Sequence, residues 1–359
     1  MKTASRFMAA AAFAWAILAG GGAGAADLYT VRGVHVDETA KSAAAARTVA
    51  QANGQRQALI QLLKRLTLPE DWAALPQVDD RTAQDAVRGF QVASEKASST
   101  RYIADLNVSF QPDAVQRLLR ARNIPFGETQ AKPALLLAVL DMGGSRMLWE
   151  DRNPWRDAWA ASDLADSMTP LIMPLGDVQE FSLVTPQQAI SGDRAALAAL
   201  AARYGTDEVV VAHAVANPEG TKIDVTATRY GAQSAAPISR SYQATTQGPD
   251  AFSDMARAAA TDLLLALGAD WKRAIVVRDG EAAQLTASAH YATLEQWEAI
   301  RRGLSTAPLV KGLQVEGIAA TGAEVEISYR GTPEKLALSL AQSNIALTQD
   351  GDGWSLRLR

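Results

Sequence analysis

The chain has 359 residues, with 35 Lys plus Arg, 39 Asp plus Glu, three His and no Cys. Its 48% hydrophobic and 21% charged content is ordinary globular composition, which excludes disordered, collagenous and disulfide-framed classes. The length suits two or three domains, and the missing thiol excludes Cys nucleophiles, iron–sulfur clusters and zinc–thiolate sites.

Residues 1–26 read as a cleaved secretory signal. Lys2 and Arg6 form the positive start, Met8 to Leu18 is apolar, Gly20 to Gly22 break the helix, and Ala23-Gly24-Ala25 fits the small-x-small cleavage rule. The apolar run falls short of the roughly 20 residues needed to span a bilayer. Cleavage after Ala25 or Ala26 leaves no Cys for lipid attachment, so a soluble periplasmic product is expected, with no transmembrane segment after the leader. Loss of the leader leaves 33 basic against 39 acidic residues, a net −6 that opposes nucleic-acid binding. The charge is uneven. Residues 27–127 hold 13 basic and 11 acidic groups, 128–270 hold 10 and 18, and 271–359 hold 10 of each. These steps divide the mature chain into an N-terminal α/β domain (27–127), an acidic central α/β domain (128–270) and a C-terminal domain (271–359).

The first segment predicts a strand at Leu28–Val36, then a long helix capped at Asp37 or Thr39. Val49, Ala52, Leu59, Leu62, Leu63 and Leu66 recur on that helix at helical spacing, and Pro69 follows it. Strands at Phe90–Lys96 and Tyr102–Phe110 and a helix from Pro112 to about Arg122 complete a β-α-β-β-α order. The second segment opens with the continuous apolar run Ala134–Leu140, a buried central strand ended by Asp141-Met142-Gly143-Gly144. A helix over Pro154–Met168 and a strand over Leu171–Leu175 follow. Then come a helix over Asp193–Arg203, the hairpin turn Asn217-Pro218-Glu219-Gly220 between two strands, a strand over Ser239–Thr245 and a helix from Pro249 to about Leu267. The third segment alternates β-α-β-β-α-β, the order of the ferredoxin-like split unit, with its last strand folding over at Asp350-Gly351. The fold class is therefore α/β (α+β) in three small domains. The first segment repeats much of the third, without matching residues in view.

Searching for chemistry yields little. His35, His213 and His290 lie in separate segments without metal-ligand spacing. Ser145 follows two glycines, but Met147 breaks the nucleophile-elbow pattern. Arg117, Arg120 and Arg122 form a basic group that a helix end explains through its own dipole. No catalytic residue, metal or cofactor is assigned. The unusual feature is Trp149-Glu150-Asp151-Arg152-Asn153-Pro154-Trp155-Arg156-Asp157-Ala158-Trp159, in which Trp155 and Trp159 share a helix face. Such rings either cover a sheet face or line a ligand pocket or interface. With strand-end acids of an α/β sheet, where ligands bind, the candidates are Asp141, Trp149, Trp155, Trp159 and Asp177.

Tyr29-Thr30-Val31, the Ala-rich helix ending Leu62-Leu63-Lys64-Arg65-Leu66, the Pro133–Ala138 strand, Leu171 to Asp177 and Ala202-Arg203-Tyr204-Gly205 together resemble a bacterial exported family, domain of unknown function 2066. The resemblance spans about 27–230 and implies an envelope location without an activity. The middle segment is similar in pattern to the TolB amino-terminal domain and the curli secretion lipoprotein family. The domain order resembles the flagellar T-ring protein. Those relatives imply binding to other envelope proteins. The expectation is a non-catalytic periplasmic interaction or scaffold protein, with a small-ligand or glycan-binding protein or hydrolase using residues 149–159 as the alternative.

Overall fold

The computed structural model describes residues 28–232, 235–278, 282–351 and 353–359; the expected leader, residues 1–26, lies outside the described residues. Among the described residues the strands form three sheets, each with its own apolar core.

The first unit runs β1 (Thr30–Thr39), α1 (Ala43–Leu66), a 3-10 turn (Pro69–Ala74), α2 (Asp80–Ala86), β2 (Val87–Ala97), β3 (Arg101–Phe110) and α3 (Pro112–Arg120). Its antiparallel sheet has the order β1-β3-β2. Ser42 caps α1, accepting from the Ala45 amide, so neither Asp37 nor Thr39 does. Both belong to β1, where Asp37 takes a two-pronged Arg101 contact at 2.7 and 2.5 Å from the neighbouring strand. A cross-strand partner thus outcompetes the local cap. Helix α1 buries Ala46, Ala50, Gly54, Ala58, Leu59, Leu62, Leu63 and Leu66 against the sheet. Val49, placed on that stripe by its spacing, instead faces solvent. Gly54 sets the approach of helix to sheet, since a Cβ there would sit 2.5 Å from Leu106 Cδ1 and 3.0 Å from Val36 Cγ1.

The central unit contains β4 (Ala134–Met142), β5 (Ser145–Met147), α4 (Pro154–Ala160), β6 (Leu171–Ile172), α5 (Val178–Leu183), α6 (Pro186–Ser191) and α7 (Arg194–Arg203). It continues with β7 (Val209–Ala216), β8 (Lys222–Tyr230), β9 (Ile238–Gln243) and α8 (Ala251–Ile275). The sheet order is β5-β4-β7-β8-β9, with β6 pairing β4; β4 is parallel to both β6 and β7. Seven successive residues of β4 are buried because both faces are covered. Leu136, Ala138 and Leu140 pack with α4 and α8, while Leu135, Leu137 and Val139 pack with α6 and α7.

Three expectations change in this unit. The helix beginning at Pro154 stops at Ala160, short of Met168, because Ser162, Asp163, Asp166 and Ser167 favour local turns over helix. The strand at Leu171 ends after Ile172, ahead of Pro174, which has no amide to donate. Helix α8 passes Leu267 and Gly268 to end at Ile275, crossing the charge step at 271.

The third unit is β10 (Ala282–His290), α9 (Leu294–Thr306), β11 (Val310–Ala319), β12 (Gly322–Arg330), α10 (Pro333–Ala341), β13 (Ile345–Asp350) and β14 (Gly353–Leu358). Its order is β11-β12-β10-β14-β13. The first three strands form the split βαβ unit of the ferredoxin-like order, with β12 antiparallel between β10 and β11. The end departs from that order. The chain turns at Asp350-Gly351, and β14 inserts beside β10 in parallel, leaving β13 at the edge.

The first and third units are repeats of one split βαβ plan, and here the residues do match. Val87-Arg88-Gly89-Phe90-Gln91-Val92 of β2 corresponds to Val310-Lys311-Gly312-Leu313-Gln314-Val315 of β11. Both edge strands carry two register shifts, after Val87 and Val92 in one and after Val310 and Val315 in the other. Asn123-Ile124 follows α3 as Asn344-Ile345 follows α10, and both Ile side chains are buried. Asn123 and Asn344, at φ 53° and 59°, are the two non-glycine residues with positive φ among the described residues. The turn they make ends each helix with a left-handed residue.

Helix α8 joins the three units. Trp271 Nε1 donates to the Thr129 carbonyl at 2.7 Å. The buried Lys272 Nζ donates to the carbonyls of Lys64 (3.1 Å) and Thr67, the C-terminal end of α1, where a cation also meets the helix dipole favourably. Burial lowers the Lys272 pKa to about 8.

Gly54→Ala should lower the melting temperature, because overpacking costs about 1–3 kcal/mol and outweighs a helix-propensity gain of about 1 kcal/mol. An unchanged or raised value in scanning calorimetry would refute that packing argument. Asn344→Ala should cost about 1 kcal/mol and Asn344→Gly little, since only the first strains a positive φ; equal melting temperatures would contradict it. Between pH 8 and 10.5 the unfolded chain holds the Lys272 proton and the folded chain sheds it, so this group's penalty is full below pH 8 and fades as pH rises. The stability of the wild type relative to Lys272→Met should therefore climb through that window, by at most about 1.4 kcal/mol per pH unit. Parallel pH profiles of the two proteins in urea titrations would exclude it.

Candidate interaction site on the central unit

Asp141 ends β4 beside the turn of Gly143 and Gly144, whose φ values of 59° and 80° carry the chain sharply into β5. Arg146 grips its carboxylate through Nε and Nη2, both at 2.7 Å. His213 Nε2 lies 3.2 Å from Oδ2 without hydrogen-bond alignment. Arg146 first, and His213 after it, hold the Asp141 carboxyl below the usual carboxylate range. An acid so neutralised is a poor proton acceptor at neutral pH. Its register neighbour Val215 leaves a shallow recess at this strand end, lined by the two glycines and Ser145.

The three tryptophans pack inward, on two sides of the sheet. Trp155 and Trp159 are fully buried under β4 and β7, edge to face with ring centroids 5.5 Å apart. Trp155 Nε1 donates to the Ala212 carbonyl at 2.9 Å. Asn153 caps α4 with its side-chain oxygen and gives its amide to the Ala138 carbonyl, which docks the helix against the sheet. Trp149 packs on the opposite face, where its Nε1 donates to the Val184 carbonyl at 2.8 Å. None of these rings lines an open cleft, so the reading that places a ligand or glycan on residues 149–159 lacks exposed aromatic surface.

Asp177 is the N-cap of α5. It accepts from the Gln179 and Glu180 amides, and Glu180 completes a capping box by accepting from the Asp177 amide. The Glu180 amide, and then Arg203, keep the Asp177 carboxyl below its usual range. Glu180 is fully buried, taking the Gly176 amide and the Tyr204 hydroxyl as well. Arg156 Nη2 donates to the Pro174 and Leu175 carbonyls at 3.0 Å, and Tyr204 Oη accepts from the Leu175 amide at 2.9 Å. The segment 174–177 is thus held from α4, α5 and α7 together.

This framework presents apolar side chains to solvent. Leu175 is 75% exposed, Val178 82% and Phe181 45%. Val178 and Phe181 are three apart on α5, so they share a face. Phe181 stacks on Trp149 with centroids 5.7 Å apart, tying the ridge to the core. Two of the five sequence candidates, Asp177 and Trp149, therefore meet here as supports, while Asp141, Trp155 and Trp159 lie elsewhere. Leu175, Val178 and Phe181 themselves were not singled out by sequence. The available signal was the Asp177-x-x-Glu180 capping box with an apolar residue on either side of it.

Among the described residues no three His, Asp or Glu side chains gather as a metal-ligand set. None of their helices is long and apolar enough to cross a membrane.

Residues 27–128 match the model of a domain of unknown function, DUF8605. This corrects the resemblance to domain of unknown function 2066, which is a different family. The motifs behind that likeness, an Ala/Leu helix stripe and a continuous apolar strand, follow from packing helices on a sheet and recur in unrelated chains. No curated protein matches the chain, so the likeness of its middle segment to TolB and the curli lipoproteins has no support beyond the strand ending at Asp141, the Tyr204–Val211 strand entry and the order of elements.

Proposed function

We propose that the protein is a non-catalytic interaction component of the cell envelope, exported by its leader and working in the periplasm through contacts with other envelope proteins. The observation that carries this reading is the ridge of Leu175, Val178 and Phe181, exposed on a backbone pinned by a buried glutamate, a tyrosine and two arginines. Exposed apolar clusters on rigid supports are characteristic of protein-binding surfaces. A flexible loop would collapse such side chains onto the protein, and this one is held away. Asp141 on β4 and Asp177 at the start of α5 support the same reading, since both are committed to arginine.

A photoreactive residue placed at Val178 of the full chain in its native host should form discrete adducts with envelope proteins on irradiation. Phe181→Glu should reduce adduct yield at least about tenfold, the loss expected of one hot-spot side chain. Val178→Glu alone should change folding stability by no more than about 0.5 kcal/mol, because the site is exposed. Fractionation should find the chain in the periplasm, shortened by its leader. Absence of any adduct at Val178, or adducts that persist in Phe181→Glu, would sink the proposal.

A further inference from the structure

Cavities open at two junctions between units. One lies beside Lys272, where the first and central units meet, and sets Lys64, Arg65 and Lys272 against Asp163 and Asp166. The other, of about 360 Å3, opens where the segment after α3, the end of α8 and the paired strands β11 and β12 come together. Its volume falls in the range of small-ligand pockets. Among the described residues four basic side chains line it, Arg120, Arg278, Lys311 and Arg330, against the single carboxylate of Glu128.

Local structure answers little of that charge. Glu128 Oε1 is already taken by Gln116 Nε2 at 2.6 Å and by the Tyr29 hydroxyl. Arg278 is committed to the Asp71 and Glu70 carboxylates at 3.2 and 3.4 Å. The other three cations form no ion pair among the described residues, and all three are exposed. Arg120 gives Nη2 to Gln116 Oε1 at 2.8 Å and lies over the Phe126 ring, 5.8 Å from its centroid. Lys311 Nζ donates to the neutral Pro308 carbonyl at 2.9 Å. The dipole of α3 explains Arg120. Lys311 and Arg330 stand on strands, which have almost no net dipole to complement.

The backbone brings those two together. Lys311 is the extra residue of the bulge between Val310 and Gly312, and a bulge re-aims a side chain. The Arg330 amide donates to the Leu309 carbonyl at 3.0 Å, so both residues flank the Pro308-Leu309 turn. Beside them the walls are apolar and include Ile124, Phe126, Val277 and Leu309. Packing behind is close at Gly127, where an added Cβ would lie 2.7 Å from Ile275 Cδ1.

A pocket walled by one sign of charge concentrates the other. Two unpaired cations at one turn match a dianion better than a carboxylate, and a guanidinium fork suits phosphate oxygens. A phosphate monoester carries about −1.5 to −2 charges at pH 7. Bare phosphate would leave the apolar walls to water. We propose that this cavity binds a phosphate monoester carried on an apolar body, the chemistry shared by a soluble aryl or alkyl phosphate and a phosphatidic acid headgroup. The phosphate meets Lys311 and Arg330, Arg120 adds its charge from the first unit, and the body lies on Phe126, Val277 and Leu309. The site is separate from the ridge on α5 and independent of it.

Titration calorimetry on the full chain with phenyl phosphate, inorganic phosphate, benzoate and phenol tests this, each probe supplying or omitting one part of the ligand. Phenyl phosphate should bind saturably at millimolar or lower concentration, at least about tenfold tighter than any of the other three. Flotation with phosphatidylcholine vesicles, with and without phosphatidic acid, separates the two sources. Capture by the acid-bearing vesicles alone assigns the lipid headgroup, and phenyl phosphate binding without capture assigns a soluble ester. Lys311→Gln and Arg330→Gln, both at exposed positions, should each weaken phenyl phosphate about tenfold with melting temperature retained. Lys96→Gln, the same loss of charge on an exposed part of β2, should leave it unchanged. The proposal is overturned if phenyl phosphate gives no saturable heat, if another of the four probes binds as tightly, or if both cavity substitutions leave its affinity intact.

Discussion

Helix α8 is the constraint on which the arrangement of the three units depends. Its first half is ordinary core, with Met255, Ala256, Ala259, Ala260 and Leu263 closing one face of the central sheet. Its second half leaves that sheet and does something else. Trp271, Lys272 and Ile275 are all buried, and besides Met168 of the central unit they meet Gly127 and the end of α1 in the first unit and Leu338 in the third. A chain without Cys cannot staple domains covalently, so their mutual position must come from burial and directed hydrogen bonds. Lys272 is the most telling of these. Burying an amine is costly unless its donors are satisfied, and the carbonyls that satisfy it belong to the last turn of α1, groups a helix leaves unmet by itself. One side chain answers two deficits and fixes the distance between two units.

The cavity beside Lys272 follows from the same arrangement. Its walls come from α1, the 3-10 turn, the irregular segment after α4 and α8, which carries Gly268 there. A gap between helices normally fills with apolar groups. Here it retains charged groups of both signs beside apolar ones. On α5 the logic is inverted. There the Pro174 and Leu175 carbonyls and the Leu175, Gly176 and Asp177 amides are all met, and the groups turned to solvent are apolar.

What could be read in advance was whatever local pattern decides. The run Ala134–Leu140 could only be a strand buried on both faces, and Pro112 could only open a helix. What escaped depended on residues far apart in sequence. Asp37 is as good a cap as Ser42 until Arg101 arrives from β3. The spacing of Trp155 and Trp159 puts them on one face, but only the position of β7, with its Ala212 carbonyl, turns that face inward. Helices α5 and α6 are six residues each, too short for periodicity to show, although both carry complete capping boxes. The candidate ridge was hidden for the same reason. The cavity beside Lys272 was invisible altogether, because its lining comes from α1, the 3-10 turn, the segment after α4 and α8.

The repeat separates what the fold demands from what it does not. Leu106, Val108 and Phe110 of β3 answer Val325, Ile327 and Tyr329 of β12, the inward positions any such sheet must fill with apolar side chains. Asn123 and Asn344 agree because each ends a helix in left-handed backbone. The agreement of β2 with β11 is of this kind only at Val87, Val92, Val310 and Leu313, which pack on the two cores. Gly89 and Gly312 lie outside the positive-φ region, and a Cβ at Gly89 would meet nothing within 4 Å. Gln91 and Gln314 are exposed on strands at the free edges of their sheets. The paired register shifts twist both edges, a device that discourages indiscriminate strand pairing. The first and third units thus share a split βαβ plan, with the central unit and its α5 ridge set between them. The features specific to the chain lie where that plan ends: on the central unit, and at the junctions between units.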